Sequence, residues 1–199
     1  HTKSWVVFDG KPSDMVHEIK DHPASFPPAM IEYFIEYFTK KGQWVLDPFV
    51  GIGSSAEAAF NTKRSFLGVE LNPKYAEFSQ NRIQDLQSHQ NHENAVKKQD
   101  FIKKNSAQST NSSSYCIYNE DARKIADILA NRKNSDKDFA VNFVVTSPPY
   151  WDFLKKSRGG VKSTLKKRVE NGYDETYGDS ELDLGNLTDY PSYLSALTR

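Results

Sequence analysis

Apolar positions fall into short blocks broken by polar or Gly/Pro-rich stretches, and the period within each block predicts an element. Trp5-Val6-Val7-Phe8 reads as a short extended piece. Ile31, Phe34, Ile35 and Phe38 recur at helical spacing, which predicts a helix from Pro28 to about Lys40. Pro27 and Pro28 suit its first turn, Lys40 and Lys41 its last, and Gly42 its stop. Trp44-Val45-Leu46 then reads as a strand, Ser54 to about Phe60 as a helix, and Ser65 to Glu70 as a second strand. A helix from Pro73 to about Gln87 turns Tyr75, Phe78, Ile83 and Leu86 inward. Tyr115 to Tyr118 is a third strand, Ala122 to Arg132 a helix, and Phe139 to Val145 a fourth strand. That last run is rich in Val and Phe and nearly uncharged, so it reads as buried on both faces. Strands alternating with helices predict an α/β fold, a mostly parallel sheet with helices on both faces.

Residues 88–114 interrupt this pattern. His, Gln, Asn, Lys and Ser dominate there, and a flexible polar insertion is expected, most of all around Ser106 to Ser114. His89 and His92 have a metal-like spacing, but no further ligand cluster supports them, so no metal is expected.

Composition changes the picture little. At 199 residues the chain suffices for one domain with a real core, and a single domain over 1–199 is expected. Net charge is zero, yet the charge is not evenly spread. Lys155, Lys156, Arg158, Lys162, Lys166, Lys167 and Arg168 form a run without an acid, and residues 170–189 are acidic without a base. Residues 152–180 therefore read as a basic and acidic loop region. The single cysteine, Cys116, excludes an intramolecular disulfide and a cysteine-based zinc site, and a reduced cytoplasmic setting is the default. No apolar run approaches the 18 or so residues of a membrane-spanning helix, and no membrane partner is expected. The chain opens on His1 without a signal peptide's apolar centre or an initiator Met, which fits a piece of a longer product.

Two stretches carry candidate chemistry. In the first, Asp47-Pro48-Phe49-Val50-Gly51-Ile52-Gly53-Ser54-Ser55 joins a strand to a helix. Gly51-x-Gly53-x-x-Ala56 fits the dinucleotide fingerprint with Ala in third place, although a tight turn without a ligand would also need the glycines. Glu70 ends the next strand about 20 positions after Gly51, where a carboxylate can accept from both hydroxyls of a ribose. Asp121 stands at the end of the third strand, as an N-cap or as an acceptor for an adenine amino group. The second stretch is Thr146-Ser147-Pro148-Pro149-Tyr150-Trp151, after the fourth strand. Its prolines donate no hydrogen bond, stop the ladder, and leave stiff carbonyls without a partner in the sheet. A serine hydroxyl precedes them and an aromatic ring follows. Such a ledge can accept from an exocyclic amine and stack on a flat ring, as a flipped nucleobase requires.

Together, Asp47-Pro48-Phe49-Val50-Gly51-Ile52-Gly53, Glu70, Asp121 and Ser147-Pro148-Pro149-Tyr150-Trp151 resemble the S-adenosylmethionine-dependent DNA amino-methyltransferases. These methylate cytosine N4 or adenine N6. The resemblance spans roughly 20–80 and 115–195. His22-Pro23-Ala24-Ser25-Phe26-Pro27 looks like the family's segment around the methionine end of the cofactor. Leu182 to Leu187, with Tyr190 and Tyr193, looks like the region leading into the helix after the catalytic motif.

The resemblance implies a Rossmann-like class I methyltransferase fold, S-adenosylmethionine as cofactor and DNA as partner, often in a restriction–modification setting. His22, Pro23, Ala24, Asp47, Pro48, Phe49, Gly51 and Gly53 would line the cofactor's amino-acid end. Glu70 and Leu71 would flank the ribose, and Asp121 and Ala122 the adenine. Ser147 and the Pro148 carbonyl would accept from the target amine, Pro149 would stiffen the turn, and Tyr150 would stack on the base. Trp151 and the basic run from Lys155 to Arg168 would face DNA, unless the run is an ordinary solvated loop. Serine in first place resembles the cytosine-N4 enzymes more than the adenine-N6 ones. Ser54-Ser55 replaces a common pair of threonines.

The family's sheet has more strands than the four long ones counted here, and a sheet ending at the fourth would leave an open edge. A missing part or a second chain is therefore expected to complete the sheet and target recognition. Cys116 does not follow the proline motif, which argues against a cysteine-dependent ring-carbon methyltransferase. Three other readings stay open. A nicotinamide-dependent oxidoreductase would use the glycine turn and Glu70 but give the proline ledge no task. A non-catalytic nucleic-acid-binding fragment would bind without methyl transfer. RNA or protein would be a different methyl acceptor.

Overall fold

The computed structural model describes residues 26–100, 113–151, 178 and 180–198; in 92–100 only the helical backbone is described. The expected strand at Trp5 to Phe8 and the segment His22-Pro23-Ala24 lie outside them, as does the basic run from Lys155 to Arg168.

The elements run α1 (Pro28–Phe38), β1 (Trp44–Asp47), α2 (Ser54–Asn61), β2 (Ser65–Glu70), α3 (Pro73–Asp100) and β3 (Tyr115–Asn119), then a 3₁₀ turn (Ala122–Lys124), α4 (Ile125–Ser135), β4 (Val141–Val144), a second 3₁₀ turn (Leu184–Asn186) and α5 (Tyr190–Leu197). The four strands form one sheet in the order β3-β2-β1-β4, and every pairing is parallel. This is a Rossmann-like α/β layout. The chain winds outward from β1 to β3 and returns to place β4 on the other side of β1. The order therefore reverses at β1, and the crevice at the carboxyl ends of β1 and β4 is where such sheets bind ligands.

Alternation along the strands divides the core between the two faces. Val45 and Phe66 point to the side covered by α1, α2 and α3, where they pack with Ile31, Ile35, Ala58 and Ile83. Trp44, Leu46, Leu67 and Val69 point to the other side, against Ile125, Ile128 and Leu129 of α4. β1 and β2 are buried almost throughout because both faces are covered.

Three expectations are corrected. The fourth strand is not buried on both faces: it is an edge strand of the described sheet, its burial alternates, and Val144 is 50% exposed. α3 does not stop near Gln87 but continues to Asp100, since Gln, Glu, Lys and Ala favour a helix even without an apolar stripe. α1 ends at Phe38, before Lys40 and Lys41; Thr39 turns extended and Gly42 takes a positive φ of 83°. No helix among the described residues is long and apolar enough to cross a membrane.

Candidate active site

A cleft of about 690 Å³ opens at the carboxyl ends of the strands. Its floor is the turn after β1. Gly51 and Gly53 hold positive φ values of 55° and 85°, which turn the chain sharply from strand into α2. A Cβ at Gly53 would lie 2.5 Å from Ser79 Oγ of α3, so at this point the turn can approach α3 only because the residue is glycine. Arg82 of α3 is buried, donates to the Ile52 carbonyl at 3.0 Å, and pairs with Glu57 of α2. The glycine turn is thus clamped from below by a desolvated ion pair.

Asp47 closes β1 and is buried. The Phe49 amide donates to its Oδ1 at 3.0 Å and the Ser55 hydroxyl to its Oδ2 at 2.6 Å. Thr146, beyond β4, also hydrogen-bonds this carboxylate. One side chain therefore ties the end of β1, the start of α2 and the approach to the proline ledge. Burial pushes its pKa up to about 6, against the hydrogen bonds that favour the charged form.

Glu70 closes β2. The Gly51 amide donates to Oε2 at 2.9 Å and the Asn72 amide to Oε1 at 2.8 Å. Burial raises its pKa to about 7, and the nearby carboxylates of Asp183 and Asp47 add to the rise. Asp121 accepts from the Arg123 amide at 2.9 Å and pairs with the Arg123 guanidinium, which holds its pKa below the ordinary carboxylate value. The N-cap reading of Asp121 is thereby seen directly, and the residue also lines the cleft.

The opposite wall comes from the turn after β4. Ser147 and Pro149 line the cleft; Pro148 and Tyr150 stand beside it, with Tyr150 47% exposed. Ser147 Oγ and the Tyr150 hydroxyl are 3.0 Å apart. The Pro149 carbonyl is taken by the Tyr193 hydroxyl at 2.9 Å. Trp151 packs on Tyr190 and donates from Nε1 to the Leu187 carbonyl at 3.0 Å, so its ring is engaged by the chain itself. The cleft thus gathers Asp47, Pro48, Phe49, Gly51, Glu70, Leu71, Asp121, Ala122, Ser147 and Pro149 of the sequence candidates.

Sequence reasoning missed several residues of this cleft. Asn72, Asp183 and Leu184 line it, and Asp183 is a buried carboxylate near Glu70. The Gly185 amide donates to Asp183 at 2.8 Å. A buried acid inside a run of acids carries no local mark. Ser54 was noted only as a substitution, yet it is 5% exposed, lines the cleft, and its hydroxyl has no partner among the described residues. A buried hydroxyl at the first turn of α2 with no protein partner is what a bound ligand would satisfy.

Residues 2–81, less than half of the chain, match the family model described as DNA methylase. Parts of the chain are similar to DNA methyltransferases. It is 37% identical over 78 residues to Type II methyltransferase M.BglI of Bacillus subtilis, covering 39% of this chain and 22% of that protein. It is 41% identical over 63 residues to Type II methyltransferase M.Cfr9I of Citrobacter freundii, covering 32% and 21%. It is 31% identical over 83 residues to DNA adenine methyltransferase YhdJ of Escherichia coli (strain K12), covering 42% and 28%. The chain thus spans about a fifth of the length of the first two. The family match holds the glycine turn and Glu70 but stops before the proline ledge.

Proposed function

We propose that this chain is a catalytic part of a DNA methyltransferase that uses S-adenosylmethionine and modifies the exocyclic amine of a flipped base. The observation that carries the reading is the shared cleft. The Gly51–Glu70 cradle and the Ser147–Pro149 wall face one space of about 690 Å³. An oxidoreductase would give the second wall no role.

The residues present fit the cofactor. Glu70 is aimed by two backbone amides and keeps acceptor capacity for a ribose diol. Asp121 offers an acceptor at the far end, and the Ser54 hydroxyl awaits a partner. When bound, the cofactor supplies a methyl group activated on a sulfonium. Ser147 and the Pro148 carbonyl accept hydrogen bonds from the target amine, and this favours the pyramidal nitrogen whose lone pair is free to attack. Positive charge that develops there is stabilised by the same acceptors. Tyr150, exposed beside the cleft, offers its ring to the base; the incoming amine competes with its hydroxyl for Ser147. The sequence from Lys155 to Arg168 supplies phosphate contacts.

Cytosine N4 is the favoured acceptor because serine leads the proline tetrad. A second reading, adenine N6, has the similarity to a relative named as a DNA adenine methyltransferase behind it. The deciding experiment is tritiated methyl transfer from S-adenosylmethionine to DNA by the full-length gene product, followed by digestion to nucleosides. Label in N4-methyl-2′-deoxycytidine is expected. Label in N6-methyl-2′-deoxyadenosine selects the second reading, and no label on any DNA rejects both.

A further inference from the structure

The turn from Thr146 to Trp151 has no regular secondary structure, and its two prolines donate nothing to a ladder. Its shape must come from elsewhere. The Tyr193 hydroxyl, on α5, donates to the Pro149 carbonyl at 2.9 Å across 44 positions of sequence. The backbone of Trp151 hydrogen-bonds the same phenolic oxygen. Tyr193 is 7% exposed, and its ring stacks on Tyr190 at 6.1 Å between centroids. One hydroxyl therefore grips the main chain on both sides of Tyr150, while Leu187 holds the Trp151 indole from the same segment.

We infer that Tyr193 is a positioning residue for the reaction: by fixing the Pro149 carbonyl and the Trp151 backbone it sets the place of Ser147 in the cleft and of the Pro148 carbonyl beside it. The inference rests on the methyltransferase reading above. Tyr193 itself is not among the residues that line the cleft. Its hydroxyl fixes Pro149 on one side and Trp151 on the other, so Tyr150 between them inherits its place. A shift of about 1 Å in such acceptors is enough to cost on the order of 100-fold in rate.

The test is Tyr193→Phe in the full-length gene product, with Tyr190→Phe as control. The control removes a hydroxyl from the same helix and keeps the ring contact. Single-turnover methyl transfer is read beside the Kd for S-adenosylmethionine and the thermal midpoint. The expected result is a rate lower by roughly 10-fold or more in Tyr193→Phe, with cofactor affinity and midpoint close to wild type and Tyr190→Phe unaffected. A wild-type rate in Tyr193→Phe overturns the inference. So does a joint loss of stability and cofactor affinity with an unchanged rate in the bound fraction, since that marks a merely structural role. Should Tyr193→Phe fail to fold, 4-fluorophenylalanine at position 193 fills the hydroxyl's volume without a donor and is read the same way. An inactive wild type rejects the methyltransferase reading and the inference with it; an active wild type with an indifferent Tyr193→Phe rejects the inference alone.

Discussion

The Gly51 amide points at the Glu70 carboxylate from 2.9 Å, and the Asn72 amide holds the other oxygen from 2.8 Å. Each oxygen thus takes one backbone donor. Glu70→Gln keeps the size but leaves one acceptor, so an NH₂ group must face a backbone N–H. Leaving a donor unsatisfied costs about 1–3 kcal/mol, and the ribose diol loses half of its acceptor pair. Calorimetric titration with S-adenosylhomocysteine should show affinity weaker by roughly 10-fold or more in Glu70→Gln, and unchanged affinity would reject the cradle.

Asp47 and Glu70 make the pH dependence unusual for carboxylates. Their folded pKa values, about 6 and about 7, lie above ordinary unfolded values near 4. Between pH 4 and 7 the folded chain therefore holds more protons than the unfolded one at these groups, and stability falls as pH rises through that window. Above about 7 their contribution levels off. Urea melts at pH 4.5 and 7.5 should show wild type losing about 3 kcal/mol more than Glu70→Gln over this range. Ligand affinity runs the other way. A diol donates to the ionised carboxylate, so cofactor binding should tighten as pH rises through 7, and Glu70→Gln should flatten that rise.

The Arg82–Glu57 pair joins α3 to α2 beneath the glycine turn. Glu57→Ala leaves the Arg82 guanidinium desolvated without its carboxylate, which typically costs about 3–5 kcal/mol. Because Arg82 also donates to the Ile52 carbonyl, cofactor affinity should fall along with the thermal midpoint. A midpoint within a degree or two of wild type would show that the pair is not coupled to the fold.

Gly53→Ala combines a φ of 85° with a Cβ placed 2.5 Å from Ser79 Oγ. A left-handed residue with a clash against helix α3 should destabilise by about 1–3 kcal/mol. Ser79→Gly in the same background removes the nearest atom and should recover part of the loss, whereas full recovery would mean that the backbone conformation costs nothing.

The glycine turn and Glu70 were legible because their signals are local: two glycines between strand and helix, and an acid one strand later at a fixed interval. The ledge at Ser147 was legible for the same reason, since two prolines stop a strand wherever it lies in the sheet. The place of β4 was not. Val141, Phe143, Val144 and Val145 suit an edge strand as well as a central one, and only the winding order decides. The length of α3 was hidden by a polar composition that lacks a stripe but favours helix by propensity. Asp183 and Tyr193 were hidden by distance. Tyr193 meets Pro149 across 44 positions, and nothing near either residue announces the other.

Among the described residues, the Glu70 carboxylate is gripped by main-chain donors, the Gly51 and Asn72 amides. The side chain at position 72 can vary without releasing it, provided that the chain keeps its path and the position does not become proline, whereas position 51 must keep the positive φ of 55° that favours glycine. A saturation scan would then find an asymmetry: an acid that tolerates almost no replacement, beside an Asn72 whose own side chain can be exchanged freely so far as this grip is concerned. The orientation of the most exacting group in the cleft is inherited from backbone geometry, so drift in the surrounding sequence leaves it standing.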